Sequence, residues 1–208
     1  DSLQKIIQSN DSTLDQKQAA TYTLLSKSLV HQNFDLFKQS FAFMPKNAVQ
    51  YKGYNSDNEQ LKNKPDFSNF ICNGANITPQ LKCSNLETLV NQLAQTPKDL
   101  LLNVCLGEYF RSEQGYSLQQ LAYAEQQKSS FSGKIFSRGQ VYKDILKSSS
   151  KDDLHAYALY RSIQCYAPSG INDCGGNEVN KSVRKQWYDQ IKRDYLNSTW
   201  AKSLKYYW

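Results

Sequence analysis

Apolar residues recur every three or four positions along most of this chain, which is the spacing of amphipathic helices. One such face, between residues 14 and 30, consists of Leu14, Ala19, Tyr22, Leu25 and Leu29. The same period then continues over residues 34–41, after a polar break at residues 31–33. The N-terminal part of the chain is therefore predicted to form one long helix followed by a short one.

Helix start signals precede the next apolar runs. Ser84 and Glu87 have the spacing of a capping box. Pro97 is predicted at the first position of the following helix, with Asp99 in its first turn. Residues 100–110 are apolar around much of the helix circumference, so we expect this helix to be the most buried one.

The remaining pattern completes an all-α prediction. Further helices are predicted over residues 117–124, 140–146, 152–166, 180–195 and 198–208. Seven to nine helices would follow one another in antiparallel succession, joined mostly by short turns. We expect a single domain over residues 1–208, with sub-structure consisting of N-terminal helices (1–44), a disulfide-clamped loop (45–83) and a helical-repeat part (84–208).

Residues 45–82 interrupt the helical pattern. This segment is polar and shows no clean period, and its turn-forming residues are Pro45, Gly53, Pro65, Gly74 and Pro79. We predict a long irregular loop with short helical turns. Loops of this length inside a compact domain are uncommon and are often functional.

The five cysteines of the chain are Cys72, Cys83, Cys105, Cys165 and Cys174. Two pairs bracket turn-forming segments, which predicts two local disulfides, Cys72–Cys83 and Cys165–Cys174, and leaves Cys105 as a buried thiol. Disulfides persist in oxidising compartments, so the protein is expected in the periplasm or otherwise secreted. The alternative is a cytosolic protein with five reduced cysteines.

Composition excludes some classes of protein. The longest apolar stretch, near residues 100–106, is far shorter than the roughly 20 residues that span a bilayer. The chain begins with Asp1, which is typical of a mature form or an excised piece, so tethering through a removed N-terminal segment is one expectation. The apolar fraction of 39% is sufficient for a packed core.

The C-terminal third resembles tetratricopeptide-like helical-repeat proteins of the bacterial envelope. The resemblance covers residues 153–208 and is carried by residues 156–161 (AYALYR) and by the junction at 187–206, where Leu196 stands in place of the family's usual proline. It implies antiparallel helix pairs stacked as an α-solenoid-like array, and a scaffold or adaptor function. The aromatic residues of the last two helices would then fill the stacking interfaces.

The sequence contains few of the residue combinations that are typical of catalytic or metal-binding sites. Cys105 with His155 as base would make a thiol nucleophile, but apolar surroundings favour a structural cysteine. His155 with Cys165 and Cys174 has no recognised zinc spacing, so neither a metal nor another cofactor is predicted.

Glu108 is the most interesting carboxylic acid. It follows the most apolar run, and helical muramidases use one glutamate in an apolar setting as general acid. The alternative is that Glu108 lies on the solvated edge of the helix or pairs with Arg111.

The charge of the chain is concentrated at its C-terminal end. The net charge is +6, and residues 181–208 contain seven basic residues against two acids. The partner-binding residues predicted there are Lys185, Lys192, Trp187, Trp200, Tyr206 and Trp208. A protein partner is expected, with peptidoglycan or an anionic surface as alternatives and no nucleic acid, whereas the alternative for the lysines is a merely solvated face.

The sequence therefore favours a non-enzymatic periplasmic helical-repeat scaffold or adaptor that binds a protein or glycan partner in the bacterial cell envelope. The alternative function is a muramidase-like peptidoglycan hydrolase that uses Glu108.

Overall fold

The computed structural model describes residues 2–46, 65–78, 81–127, 131–148, 150–167, 174–175 and 177–207. Within these ranges the chain forms ten α-helices, one 3-10 helix (Phe67–Phe70) and no strand. The all-α prediction is therefore confirmed. Most of the predicted loop at 45–82, and the tip of the Cys165–Cys174 loop, lie outside the described residues.

The helices, in chain order, are α1 (Ser2–Gln8), α2 (Leu14–Val30), α3 (Phe34–Phe41), α4 (Leu86–Gln95), α5 (Leu100–Arg111), α6 (Tyr116–Gln127), α7 (Arg138–Lys147), α8 (Asp153–Cys165), α9 (Lys181–Asp194) and α10 (Thr199–Ser203). None of them combines the length and the apolar content that a bilayer-crossing helix needs.

Two differences from the predicted helices stand out. Helix α1 was not predicted, because its seven residues are too few to display a helical period. Helix α10 ends at Ser203, whereas the spacing of Trp200, Leu204 and Trp208 predicted a helix that runs to the end of the chain. The backbone of Leu204 is extended, so that prediction is wrong. The tetratricopeptide-like repeat character stays a prediction.

Several helices begin after a residue whose side chain caps the helix N-terminus, and some of these caps differ from the predicted ones. Thr13 and Gln16 form a full capping box at α2. Helix α4 is capped by Asn85 rather than Ser84, and the Asp99 side chain accepts a hydrogen bond from Leu102 N, which makes it a cap of α5. Asn180 and Ser198 cap α9 and α10.

The chain divides into two compact units. Unit 1 consists of Asp1–Ala75, Cys83–Pro97 and Glu108–Phe136, and unit 2 consists of Asn76–Lys82, Lys98–Gly107 and Ser137–Trp208. Helix α5 is divided between them after Gly107. Residues 103–110 of α5 are all buried, but α8 has nine buried residues among its thirteen, so the prediction that α5 is the most buried helix is wrong.

Unit 1 is built around α2, which packs against α1, α3 and α6, while α3 also packs against α4. Ile7, Ala20 and Leu24 form an apolar cluster between α1 and α2. An aromatic cluster lies beside it, in which the Tyr22 ring meets the Phe70 ring edge-on at 5.4 Å. Leu14, which was predicted on the buried face of α2, is instead 70% exposed.

Unit 2 is built around α8, which packs against α7, α9 and α10. One cluster joins Tyr142 and Ile145 of α7 to Tyr157 and Ala158 of α8. A second cluster joins α8 to α9 and α10 through Leu159, Ile163, Ile191, Ala201 and Leu204. These apolar faces account for the helix succession α7–α8–α9 that the sequence period predicted.

Candidate functional site

The two disulfides of the chain are Cys165–Cys174 and Cys83–Cys105, and Cys72 is a free cysteine. The Cys165–Cys174 prediction is confirmed, with a Cα–Cα distance of 5.6 Å. The predicted Cys72–Cys83 disulfide is wrong, and so is the prediction that Cys105 is a thiol.

The backbone register explains why Cys72 and Cys83 do not pair. Cys83 N donates to Ala75 O at 2.8 Å, and Leu86 N donates to Cys72 O at 3.2 Å, so the two segments run antiparallel. Cys83 is therefore opposite Ala75, three residues from Cys72. Three extended residues span about 10 Å, which exceeds the Cα separation of about 4.4–6.8 Å that a disulfide allows.

The disulfide pairing removes two of the chemical alternatives. Cys105 is bonded to Cys83 and is therefore not a nucleophile for His155 to activate. Cys165 and Cys174 are bonded to each other, so their sulfurs are not thiolate ligands for a metal. Across the described part of the chain, no group of three or more His, Cys, Asp or Glu residues is arranged to hold a metal ion.

The Cys165–Cys174 disulfide is anchored to the start of α7. Cys174 O accepts hydrogen bonds from Gly139 N at 3.0 Å and from Ser137 Oγ at 3.3 Å. Gly175 O accepts a hydrogen bond from the hydroxyl of Tyr166, the last residue before the loop on the α8 side, at 3.3 Å. These hydrogen bonds hold the Cys174 end of the disulfide loop against the start of α7.

Glu108 lies near the C-terminal end of α5 and is 8% exposed. Its carboxylate accepts two hydrogen bonds from Arg111, at 2.6 Å from Nη2 and 3.2 Å from Nε. The turn between α5 and α6 is tight, because a Cβ on Gly115 would lie 2.0 Å from Tyr109 O. Both hydrogen bonds converge on one carboxylate oxygen, Oε2, so the alternative in which Glu108 pairs with Arg111 matches the geometry.

A buried polar cluster in unit 1 was not predicted. One carboxylate oxygen of Glu125 lies 3.0 Å from Lys27 Nζ, and the other lies 3.0 Å from His31 Nε2. Phe131 covers the cluster, with Lys27 Nζ 5.2 Å from the centre of its ring. His31 Nδ1 lies 3.4 Å from Gly133 O, so both ring nitrogens face oxygen atoms. The His31 ring is fully buried, so the cluster has a structural role.

His155 occupies the first turn of α8 in unit 2. Its ring stacks on Tyr195 at 5.9 Å, and its Nε2 faces the side-chain amide of Gln190 at 3.4 Å. Burial lowers the pKa of His155, although the Ser150 carbonyl and the carboxylate of Asp152 act in the opposite direction. The neutral form is therefore favoured, which suits a histidine packed between helices.

The predicted partner-binding residues are distributed over two environments. Trp187 and Trp200 are half-buried against the apolar clusters of unit 2, and the Trp200 ring lies 5.0 Å from the Tyr157 ring. Tyr206 is 60% exposed. Trp208 lies outside the described residues. Trp187 and Trp200 therefore contribute packing inside unit 2.

Lys185 is exposed and Lys192 is half-buried, and each lies beside a tyrosine that the sequence did not single out. Lys185 Nζ lies 5.9 Å from the Tyr207 ring, and Lys192 Nζ lies 5.4 Å from the Tyr188 ring. The two rings lie 5.5 Å apart, and Tyr188 donates a hydrogen bond to Lys205 O at 3.2 Å. These contacts join Lys185, Tyr188, Lys192, Lys205 and Tyr207. Together with Lys181, one helical turn before Lys185, and Tyr206, the chain neighbour of Tyr207, they are here called the lysine–tyrosine patch.

The lysine–tyrosine patch carries a positive charge. It contains four lysines, and Asp189 forms an ion pair with one of them, Lys185, across one helical turn. Lys181 and Lys205 are exposed. The spacing of Lys185 with Asp189 and of Tyr188 with Lys192 was a sequence signal for this surface, because residues four apart lie on one helix face.

Unit 1 also has a groove on its surface. It lies where α1 and the end of α3 flank α2, and it has a volume of about 310 Å³. Its lining residues are Gln4, Gln8, Leu24, Gln39, Ser40, Ala42 and Phe43. No sequence signal pointed to this groove, because its lining comes from three helices with ordinary polar faces.

No protein-family model, no curated protein and no solved structure matches this chain.

Proposed function

We propose that the protein is a non-enzymatic adaptor of the bacterial periplasm, and that the lysine–tyrosine patch binds an acidic segment of a protein partner. The observation that carries the proposal is the contact between lysine and tyrosine side chains in the patch, beside an Asp189 carboxylate that is already paired with Lys185. Lysines attract an acidic partner, and tyrosine rings supply rigid contact area at a low entropic cost.

The two disulfides support the compartment in this proposal. A chain with the Cys83–Cys105 and Cys165–Cys174 bridges suits an oxidising environment, of which the periplasm is one. The resemblance of residues 153–208 to envelope helical-repeat proteins is the reason for placing it in bacteria.

The decisive experiment compares two triple charge reversals that have the same net charge. The first replaces three patch lysines (Lys181→Glu, Lys185→Glu, Lys205→Glu), and the matched control replaces three exposed lysines elsewhere (Lys5→Glu, Lys98→Glu, Lys134→Glu). Both variants lower the net charge from +6 to 0, since each replacement removes two charge units. Circular dichroism confirms that each variant is folded.

The readout is the affinity for a fluorescent polyglutamate peptide, measured by anisotropy at several salt concentrations. We expect the patch variant to bind at least about tenfold more weakly than the wild type, and the control to change less than about twofold. Equal losses in the two variants would show an effect of net charge alone and would contradict the proposal. Stronger binding to muropeptides or to anionic vesicles than to polyglutamate would also contradict it.

The hydrolase alternative is tested on the same preparation. Because Glu108 is paired with Arg111, we expect no lytic band when the wild type is run in a peptidoglycan zymogram. A clear band that is lost in Glu108→Gln would overturn the adaptor proposal in favour of glycan hydrolysis.

A further inference from the structure

Four asparagines of this chain are followed, two positions later, by a serine or threonine with no proline between, which is the acceptor pattern for N-linked glycans. They are Asn10, Asn76, Asn180 and Asn197. All four are exposed, and none of them lies inside a helix, so an enzyme can approach each one from solvent. A three-residue pattern often occurs by chance, and the surroundings therefore have to distinguish between the four.

An acidic residue two positions before the asparagine distinguishes Asn180. Glu178 stands there, whereas the corresponding residues before the other three asparagines are glutamine, glycine and tyrosine. Oligosaccharyltransferases of the bacterial periplasm recognise this extended pattern, in which the carboxylate pairs with a cationic side chain of the enzyme. Glu178 is exposed, so its carboxylate is accessible for such a pair. Residues 178–182 (EVNKS) therefore match the acceptor pattern of the compartment that is proposed above.

The backbone at Asn180 suits an enzyme that modifies a folded chain. Residues 177–180 form neither helix nor strand, and α9 begins only at Lys181. Within residues 178–182, all but Val179 are exposed. Ser182 is the second residue of α9, and helix ends fray readily. The acceptor segment can therefore enter the cleft of an enzyme without disturbing the packed core of unit 2.

Asn76 shows the contrasting case. It forms an isolated β-bridge with Lys82, and the hydroxyl of Thr78, two positions later, accepts a hydrogen bond from Leu81 N at 3.0 Å. The hydroxyl that an oligosaccharyltransferase has to recognise is thus already engaged within a turn. Exposure of the asparagine is therefore not sufficient, and the surroundings favour Asn180.

The two terminal atoms of the Asn180 side chain have separate roles. Its Oδ1 accepts a hydrogen bond from Ser182 N at 3.4 Å and so caps α9. The glycan is attached to the other atom, Nδ2. In the reaction Nδ2 forms a bond to the anomeric carbon of the first sugar, the bond from that carbon to the lipid pyrophosphate breaks, and Nδ2 loses one proton. Because Oδ1 is unchanged, the cap is compatible with the modification.

We propose that Asn180 is an N-glycosylation acceptor, to which a periplasmic oligosaccharyltransferase transfers an oligosaccharide from a polyprenyl pyrophosphate donor. The glycan is attached immediately before Lys181, at the edge of the lysine–tyrosine patch. The proposal shares the periplasmic compartment with the adaptor proposal, but it does not require the patch to bind an acidic segment.

The experiment exports the whole chain to the periplasm of a bacterial strain that contains such an oligosaccharyltransferase and its lipid-linked oligosaccharide. A second protein with an established acceptor pattern is exported in the same cells and shows that the enzyme is active. The variants are Asn180→Gln, Glu178→Gln, Ser182→Ala and Ser182→Thr, and the matched control is Asn197→Gln. Ser182→Ala tests recognition without touching the cap, because the Asn180 side chain bonds to the backbone nitrogen of Ser182. Intact mass and glycopeptide mapping are the readouts.

We expect the wild type to gain the mass of one glycan, on the peptide that contains Asn180, and Asn180→Gln to gain none. Glu178→Gln and Ser182→Ala should each lower the glycosylated fraction about tenfold or more, because each removes a group that the enzyme recognises. Ser182→Thr, which keeps a hydroxyl, and Asn197→Gln should both match the wild type.

The proposal is overturned if the wild type gains no mass while the second protein does, if the glycan maps to another asparagine, or if Ser182→Ala is modified as fully as the wild type. Polyglutamate binding is measured on the unglycosylated protein and reports on the patch alone, so failure of one proposal is distinguishable from failure of the other.

Discussion

Glu125 holds two groups of α2 with its two carboxylate oxygens, Lys27 at 3.0 Å and His31 at 3.0 Å. The segment that follows α6 closes over this contact, as Phe136 N donates to Val30 O at 2.8 Å and Gln32 Nε2 donates to Lys134 O at 3.0 Å. Gly133 has a φ of +119°, and a Cβ there would lie 2.8 Å from His31 O, so only glycine fits this passage.

Glu125→Gln should therefore be strongly destabilising. The replacement removes the negative charge between Lys27 and the His31 ring in a buried setting, where loss of one partner of an ion pair costs roughly 3–5 kcal/mol. Urea denaturation of the variant measures the loss. Glu113→Gln is the matched control at an exposed position, and we expect it to change the unfolding free energy by less than about 0.5 kcal/mol. A loss at Glu125 no larger than that of the control would contradict a structural role for the cluster.

The lowered pKa of His155 predicts a pH dependence of stability. Burial is its main cause, so the unfolded chain takes up a proton at a higher pH than the folded chain does. The stabilising contribution is complete above the ordinary pKa of 6.5 and is lost as the pH falls from 6.5 through the folded pKa. Urea unfolding of the wild type and of His155→Gln, from pH 8 down to pH 5, isolates this contribution, because other titrating groups cancel in the difference.

We expect the stability advantage of the wild type over His155→Gln to shrink below pH 6.5, with a slope of at most about 1.4 kcal/mol per pH unit. Asp152 does not interfere in this range. Burial alone would raise the pKa of Asp152, but hydrogen bonds from Ser150 and from the backbone of His155 outweigh that effect and lower it below 3.8. A pH-independent difference between the two proteins would contradict the assignment.

At the scale of elements, α10 depends on a side chain from α9. Lys192 Nζ donates to Ala201 O and to Leu204 O, both at 2.7 Å, and so satisfies carbonyl groups at the C-terminal end of a five-residue helix. An isolated helix of this length is unstable in water, and its last carbonyls need partners. The Lys192 ammonium group therefore ties the C-terminal end of α10 to α9, in addition to its place in the lysine–tyrosine patch.

Lys192→Met should loosen α10 while leaving the rest of unit 2 folded. Two hydrogen bonds from a charged donor are lost at a half-buried position, so we expect a decrease of about 1–2 kcal/mol in the unfolding free energy. Faster amide exchange should be confined to residues 199–204. Lys202→Met is the control, because Lys202 is exposed on α10 itself. Equal exchange rates in the two variants would show that Lys192 does not support α10.

Most helix bounds were predictable, and the reasons are local. The starts at Leu14, Lys181 and Thr199 follow side-chain caps one residue earlier, and the apolar period carries each helix onward. The errors also have local causes. Asn85, not Ser84, caps α4, and the Ser84 hydroxyl instead donates a hydrogen bond to the side chain of Gln92.

At the scale of the whole molecule, the disulfide pairing decides the chemistry of the cysteines. We expect one free thiol when the denatured, non-reduced protein is titrated, and peptide mapping should assign it to Cys72. Cys72→Ser should reduce the titrated thiols to none. Detection of a Cys72–Cys83 crosslinked peptide, or of three or more free thiols, would contradict the pairing and would weaken the case for an oxidising compartment.

The all-α class, the position of nine of the helices and the Cys165–Cys174 bridge were determined by the sequence itself, because caps, apolar periods and short disulfide loops are properties of neighbouring residues. The Cys83–Cys105 bridge, the Lys27–Glu125–His31 cluster and the groove beside Phe43 were decided only by tertiary structure. Each of these brings together residues from different helices or distant segments, and His31 and Glu125 are 94 positions apart. Sequence spacing carries no information on such contacts, since they depend on which helix faces pack together.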